Sequence, residues 1–249
     1  MKIILPPSET KCVGGDGPSL DGASLLFPEL ADVRTRVAQA LITLCTNPDA
    51  AMPILGVGGR LRRDVARNAA LESAPTMPAI ERYTGVLFDA LSIRTLRAAE
   101  RRRADDRLMV GSALFGVVAA TDLIPSYRLS ASVQMPSVGK LAAVWRPALQ
   151  PLLRDLAERE LVVDLRSGAY QSLAPIPEAI TARVLSEKVS GARSVVSHAN
   201  KHTKGLLARA LVRSTVEASS MTDVARVAKR AGLRVEVLSD QHLDIIVPG

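Results

Sequence analysis

Apolar positions recur along this chain with two different periods. Lys2 to Leu5 is a short aliphatic run closed by Pro6 and Pro7, which predicts a buried strand turning into the Gly-, Asp- and Pro-rich loop Ser8 to Gly22. Leu30, Val33, Val37, Leu41, Leu44 and Cys45 repeat every three to four residues, the spacing of an amphipathic helix over Pro28 to Cys45 that Asn47 and Pro48 stop. Leu61, Val65 and Ala69 give a further helix over Arg60 to Leu71. The segment between is therefore read as helix, glycine hairpin, helix, with Leu55-Gly56-Val57-Gly58-Gly59 as the hairpin.

Further along, Arg94 to Arg107 is helix-like, and Arg101, Arg102 and Arg103 spread round it as a solvated face. Leu108 to Val118 predicts a buried strand entering a turn. Ile124 to Leu129 is extended, because Pro125 disfavours helix before it. Leu141, Val144, Trp145, Leu149, Leu152, Leu153 and Leu156 mark a long helix over Gly139 to Glu160, with Pro147 and Pro151 as candidate kinks. Leu161 to Leu165 reads as a strand, and Arg183 to Leu185 with Ser194 to Ser197 as a strand pair turning at Ser190-Gly191. Asn200 to Arg213 and Met221 to Ala231 read as helices, before a closing hairpin of Arg234 to Leu238 with Leu243 to Val247. Strands and helices interleave without a regular βαβ period. The expected fold is one mixed α/β domain over 1–249, a mixed sheet with flanking helices and a helical insertion at about 28–72.

Composition narrows the function classes. With 47% hydrophobic and 23% charged residues in 249, the chain is globular rather than disordered, collagen-like or disulfide-stapled. Aromatics at 3% leave a core of Ala, Val and Leu and few rings for stacking bases, which argues against a single-strand binder. Lys plus Arg number 32 against 25 acidic residues, a net +7 carried mostly by Arg, so an anionic partner is expected. Cys12 and Cys45 form no C-x-x-C, and with only His198, His202 and His242 there is no zinc pattern; no metal or cofactor is predicted. The N-terminus lacks a signal-peptide core and the apolar run Ala113 to Ala120 is too short to cross a bilayer. A cytosolic protein with reduced thiols and no membrane partner is expected.

Three clusters could carry chemistry. In the hairpin, Gly56, Val57, Gly58 and Gly59 let backbone approach a phosphate, and Arg60, Arg62 and Arg63 open the next helix, where cations are unfavourable unless an anion docks. A plainer alternative stays open: an ordinary Gly helix cap with solvated arginines. Arg62 stands where a helix-hairpin-helix usually has a small residue, while Val65 falls where its next apolar anchor belongs. At a strand-helix junction, His198, Lys201 and His202 share a face near Lys204, and Lys201, Lys204 and Arg209 offer a second phosphate contact; a basic surface helix start explains them as well. The loop residues Ser8, Glu9 and Lys11 combine a hydroxyl, a carboxylate and an amine, or are capping chemistry.

Two functional readings follow. One is a binder of duplex or structured DNA that is largely indifferent to sequence, using the hairpin and the Lys201, Lys204, Arg209 face. The other is an enzyme acting on a phosphate- or nucleotide-like anion, with catalytic candidates Ser8, Glu9, Lys11, Asp164, Ser167, His198 and Lys201 in a pocket with Tyr83, Tyr127, Arg128 and Tyr170.

Several segments together bring in a resemblance. Pro6-Pro7-Ser8-Glu9-Thr10-Lys11, Tyr83-Thr84-Gly85, Gly111-Ser112-Ala113-Leu114-Phe115-Gly116, Asp122 to Leu129, Trp145, Asp164 to Tyr170 and Lys201 to Arg209 occur in this order. Over nearly its full length the chain resembles the YaaA family of peroxide-stress proteins. The resemblance implies a cytosolic bacterial protein that limits oxidative damage to DNA and protein by keeping unincorporated iron low. It also implies a helix-hairpin-helix-like DNA-binding element on a single mixed α/β domain of cantaloupe-like shape with a positively charged cleft. The chain departs from better-known members at its start, where Pro-Ser-Glu-Thr-Lys replaces Pro-Ala-Lys-Thr, and at His198 to Lys204, which is richer in His.

Overall fold

The aliphatic run at the N-terminus becomes an interior strand of the sheet, flanked on both sides. The computed structural model describes residues 1–195 and 197–249, with the backbone alone at 197 and 198. In chain order come β1 (Lys2–Leu5), α1 (Ala31–Cys45), α2 (Pro48–Leu55), α3 (Arg62–Arg67), β2 (Met77–Pro78), α4 (Ala79–Arg82), α5 (Val86–Leu91) and α6 (Ala98–Arg107). Then follow β3 (Leu108–Ser112), β4 (Gly116–Ala119), β5 (Leu123–Ile124), β6 (Gln134–Met135), β7 (Gly139–Lys140), α7 (Leu141–Arg159), β8 (Val162–Asp164) and α8 (Gly168–Gln171). The chain closes with β9 (Ile180–Glu187), β10 (Arg193–Val195), α9 (Ser197–Arg213), α10 (Met221–Arg230), β11 (Arg234–Ser239) and β12 (His242–Pro248).

The main sheet runs β11-β12-β9-β8-β1-β3-β4, with β10 also on β9. Its five central strands are parallel, while β4, β10 and β11 pair antiparallel. Parallel strands are covered by helices on both faces and so carry unbroken apolar runs. All five residues of β3 are buried, as are all three of β8. Both sheet faces and their helices share one hydrophobic core, so the chain is a single α/β domain with a mixed sheet and flanking helices.

Most expected elements form where the pattern puts them. Asn47 caps α2, its side chain accepting from Ala50 N at 3.2 Å with Pro48 at the first helical position, and Ser220 caps α10 through Asp223 N. Helix α7 continues through both Pro147 and Pro151. Two expectations need correction. The helix expected over Arg60 to Leu71 is broken into a 3-10 turn (Gly59–Leu61), the short α3, and another 3-10 turn (Asn68–Ala70). The Arg101 to Arg103 run is not simply a solvated face: Arg101 pairs with Glu81 and Asp105, and Arg103 donates to the carbonyls of Val212 and Arg213. Arg107 adds bonds to Leu211 O and Ser214 O, so α6 satisfies the last carbonyls of α9, where a helix end favours cations.

Candidate functional site

From β1 the chain moves to β3 and β4 on one side, and from β8 to β9 and β12 on the other. The order of connection therefore reverses between β1 and β8, and in open parallel sheets ligands settle outside the carboxyl ends of strands at such a reversal. A cavity of about 570 Å³ lies there. Pro6 to Thr10 follow β1 into its wall, Leu165, Ser167 and Tyr170 follow β8, and Asn200, Lys201 and Lys204 come from α9. Thr84 and Gly85 with the start of α5 complete it.

Of the sequence-derived catalytic and pocket candidates, Ser8, Glu9, Ser167, Tyr170 and Lys201 line this cavity together. Lys11, Tyr83 and Tyr127 form a layer behind the wall. Lys11 Nζ donates to Ser8 O at 2.9 Å and lies over the Tyr127 ring at 4.1 Å and the Tyr83 ring at 5.1 Å. Burial, then the nearby Arg128 charge, pushes its pKa down to about 7. Tyr127 Oη lies 2.8 Å from Tyr83 Oη and 2.7 Å from Ser112 Oγ, which accepts from Leu114 N and Phe115 N. Burial raises the pKa of both phenols, so these hydroxyls stay protonated and link the layer to the end of β3. Arg128 is bound to the Glu9 carboxylate and to Glu9 O.

Other candidates sit elsewhere. Asp164 does not face the cavity as a free carboxylate: both of its oxygens hold Arg166 at 2.8 Å in a pair that is almost wholly buried. The single basic face expected of Lys201, Lys204 and Arg209 does not form. Lys204 is buried and donates to Leu165 O at 3.0 Å, and burial lowers its pKa. Arg209 holds Leu91 O, Ser92 O and Thr95 Oγ1, leaving Lys201 as the exposed cation of the three. The His198 side chain lies outside the described residues. Sequence reasoning missed Asn200, whose Oδ1 is buried and has no hydrogen-bond partner among the described residues, and Thr10 and Ser130 on the wall. A lone polar residue in a basic run gives no signal until the fold turns it toward a hollow.

The glycine hairpin lies on the surface beside this cavity. Gly56 ends α2 at φ +65°, a left-handed cap that favours glycine, and its N–H bonds Pro53 O. Gly58 and Gly59 are exposed, and a Cβ on either would meet nothing within 4 Å. Among the described residues their N–H groups have no partner. Arg60 and Arg63 are exposed, while Arg62 is held by Asp49 through two 2.8 Å bonds. Gly56 lines a hollow of about 340 Å³ with Glu9, Arg128 and Ser130. Glu9 and Ser130 also line the larger cavity, so the two depressions are neighbours.

Among the described residues no helix is long and apolar enough to cross a membrane. The chain is similar to a UPF0246 protein of Corynebacterium efficiens, 48% identical over 241 residues covering 95% of each chain. It is similar also to a UPF0246 protein of Streptomyces coelicolor, 40% identical over 95% of this chain and 92% of the relative. Residues 1–236 match the family described as peroxide stress protein YaaA. At that coverage the chain belongs to the YaaA family of peroxide stress proteins.

Proposed function

We propose that this peroxide stress protein binds DNA in the cytosol through backbone phosphates, gripping it at a helix-hairpin-helix-like element on a cantaloupe-like domain, and so limits iron-dependent oxidative damage. One observation carries the reading. Gly58 and Gly59 have open space where a side chain would go, so nothing inside the molecule calls for glycine there, whereas close approach by an outside backbone does. Among the described residues the Gly58 and Gly59 N–H groups have no partner and Arg60 and Arg63 are exposed, so they supply donors and charge for a phosphate, and Lys201 in the adjoining cavity supplies a further cation.

Fluorescence anisotropy with a short labelled duplex tests this. Affinity falls steeply as salt rises and changes little with duplex sequence. Salt-insensitive binding, or binding unchanged when Arg60, Arg62 and Arg63 are all replaced by Ala, would falsify the hairpin assignment.

A second reading is favoured by the cavity itself: an enzyme site for a phosphate- or nucleotide-like anion. Residues following β1 and β8 and at the start of α9 converge on it, and among the described residues the Asn200 Oδ1 acceptor has no partner. Thermal stabilisation by nucleotides that is lost in Lys201→Ala supports this reading, and its absence counts against it.

A further inference from the structure

A lysine drawn largely out of water is ordinarily paired with a carboxylate. Lys11 is half-buried and, among the described residues, has no such partner. Among the described residues its amine bonds the Ser8 carbonyl alone and otherwise faces two aromatic rings, while the neighbouring Glu9 carboxylate is taken by Arg128. Arg128 and Arg82 act with burial to disfavour its charged form, and the carboxylates of Glu9 and Asp64 act against them. The balance leaves a substantial share of unprotonated amine at neutral pH, the form that is nucleophilic.

The position of this amine matters as much as its charge. Ser8, Glu9 and Thr10, its neighbours in the chain, line the cavity between β1 and β8; the Lys11 amine sits against that wall from behind, 2.9 Å from Ser8 O, and the residue is only half-buried. Glu9 and Arg128 also border the hollow that carries Gly56, and Asp64, which acts on Lys11, belongs to the helix that the hairpin opens. The hairpin hollow and the cavity share Glu9 and Ser130, so DNA held at the hairpin would lie beside the cavity that Lys201 lines.

We propose that Lys11 is an amine nucleophile for the aldehyde of an abasic deoxyribose in DNA held at the Gly56 hairpin, and condenses with it to an imine. An amine forms this bond with a carbonyl compound, and an intact duplex has no free aldehyde; a sugar that has lost its base opens to one at C1′. A cavity of about 570 Å³ admits such a sugar. In the step, the Nζ lone pair attacks C1′ and the carbonyl oxygen takes up a proton to give a carbinolamine. The C–O bond then breaks, the oxygen leaves as water carrying the two protons lost from nitrogen, and a C=N bond remains. No oxidant or reductant takes part.

This inference rests on the DNA-binding reading above, and borohydride trapping separates the two. The full-length protein is mixed with a duplex carrying one abasic site, sodium cyanoborohydride is added, and the cross-linked peptide is mapped by mass spectrometry. A stable adduct at Lys11, lost in Lys11→Met, is the expected result. An adduct mapped on wild-type protein to Lys201, to the N-terminus or to another lysine overturns the proposal, as does no adduct when anisotropy shows the duplex bound. Mapping on the wild-type protein keeps the test decisive even if the variant fails to fold. Should duplex binding fail, the DNA reading falls and with it the abasic-DNA substrate. Free 2-deoxyribose 5-phosphate with the same reductant then judges the amine alone: labelling at Lys11 keeps its carbonyl reactivity, and no labelling removes that too.

Discussion

Gly205 on α9 faces the carbonyl of Leu87 on α5 so closely that a Cβ at 205 would stand 2.3 Å from Leu87 O and 2.8 Å from Ala90 Cβ. These two helices form one side of the cavity: α5 contributes Val86, Leu87 and Phe88, and α9 contributes Asn200, Lys201 and Lys204. The contact at Gly205 thus sets how far apart the two walls stand. Replacing Gly205 by Ala forces backbone apart, because the obstructing atom is a main-chain oxygen that cannot rotate away. Overpacking of this kind costs about 1–3 kcal/mol. Urea denaturation measures the loss, and weakened ligand binding in the cavity accompanies it.

Asp164 and Arg166 make a second commitment of the fold near the site. Asp164 accepts from Arg166 N, Nε and Nη2, and Arg166 also holds Ala174 O, which fixes the chain leaving β8. Asp164→Asn leaves the guanidinium buried without a compensating charge, and breaking one side of a buried pair costs about 3–5 kcal/mol. A loss of unfolding free energy of that size is expected in denaturant titration, read as a lower midpoint at unchanged m. An unchanged midpoint would mean that water reaches the pair.

Lys11 gives stability a pH dependence of definite sign. Its amine titrates at about 7 in the folded protein against 10.5 ordinarily, so between those values the unfolded chain binds more protons. The unfolding free energy therefore rises with pH across that window, and the penalty is fully present below it. Lys204, also lowered by burial, acts in the same sense, whereas the raised phenols of Tyr83 and Tyr127 act oppositely only at and above their ordinary value of 10.0. The Lys11 share is isolated by difference: in Lys11→Met the gain in stability between about pH 7 and about pH 9 is smaller than in the wild type. An identical gain in both proteins would show that the amine keeps its ordinary pKa.

These relationships mark where sequence reading reaches and where it stops. Strand β1, helix α10, the β9–β10 turn at Gly191 and the β11–β12 hairpin were legible because each has local periodicity with a turn or cap residue beside it. The cavity was legible only as a collection, since Ser8, Ser167 and Lys201 are far apart in the chain and meet through the reversal between β1 and β8. The excess of arginine is where sequence alone says least. Arg34 is buried and donates to five carbonyls, of Gly22, Leu26, Phe27, Phe115 and Val117, and Arg82 reaches those of Cys12, Gly14, Pro75 and Ile124. A guanidinium has five donors and can satisfy irregular backbone as readily as phosphate. Neither net charge nor helical spacing distinguishes the two uses, and Arg209, expected on a phosphate-binding face, instead holds Leu91 O and Ser92 O.

The hairpin allows stability and binding to be separated at one atom. Gly58 has φ −85° and open space at the Cβ position, a conformation that Ala adopts without strain. Gly58→Ala narrows the unfolded ensemble and leaves the folded contacts intact, so stability rises by about 0.4–1 kcal/mol. The same methyl stands where an incoming phosphate must approach the N–H groups of Gly58 and Gly59, so duplex affinity falls. Thermal melting and anisotropy on the one variant then move in opposite directions. If affinity holds while stability rises, the duplex does not come close to this turn, and the two glycines have another explanation.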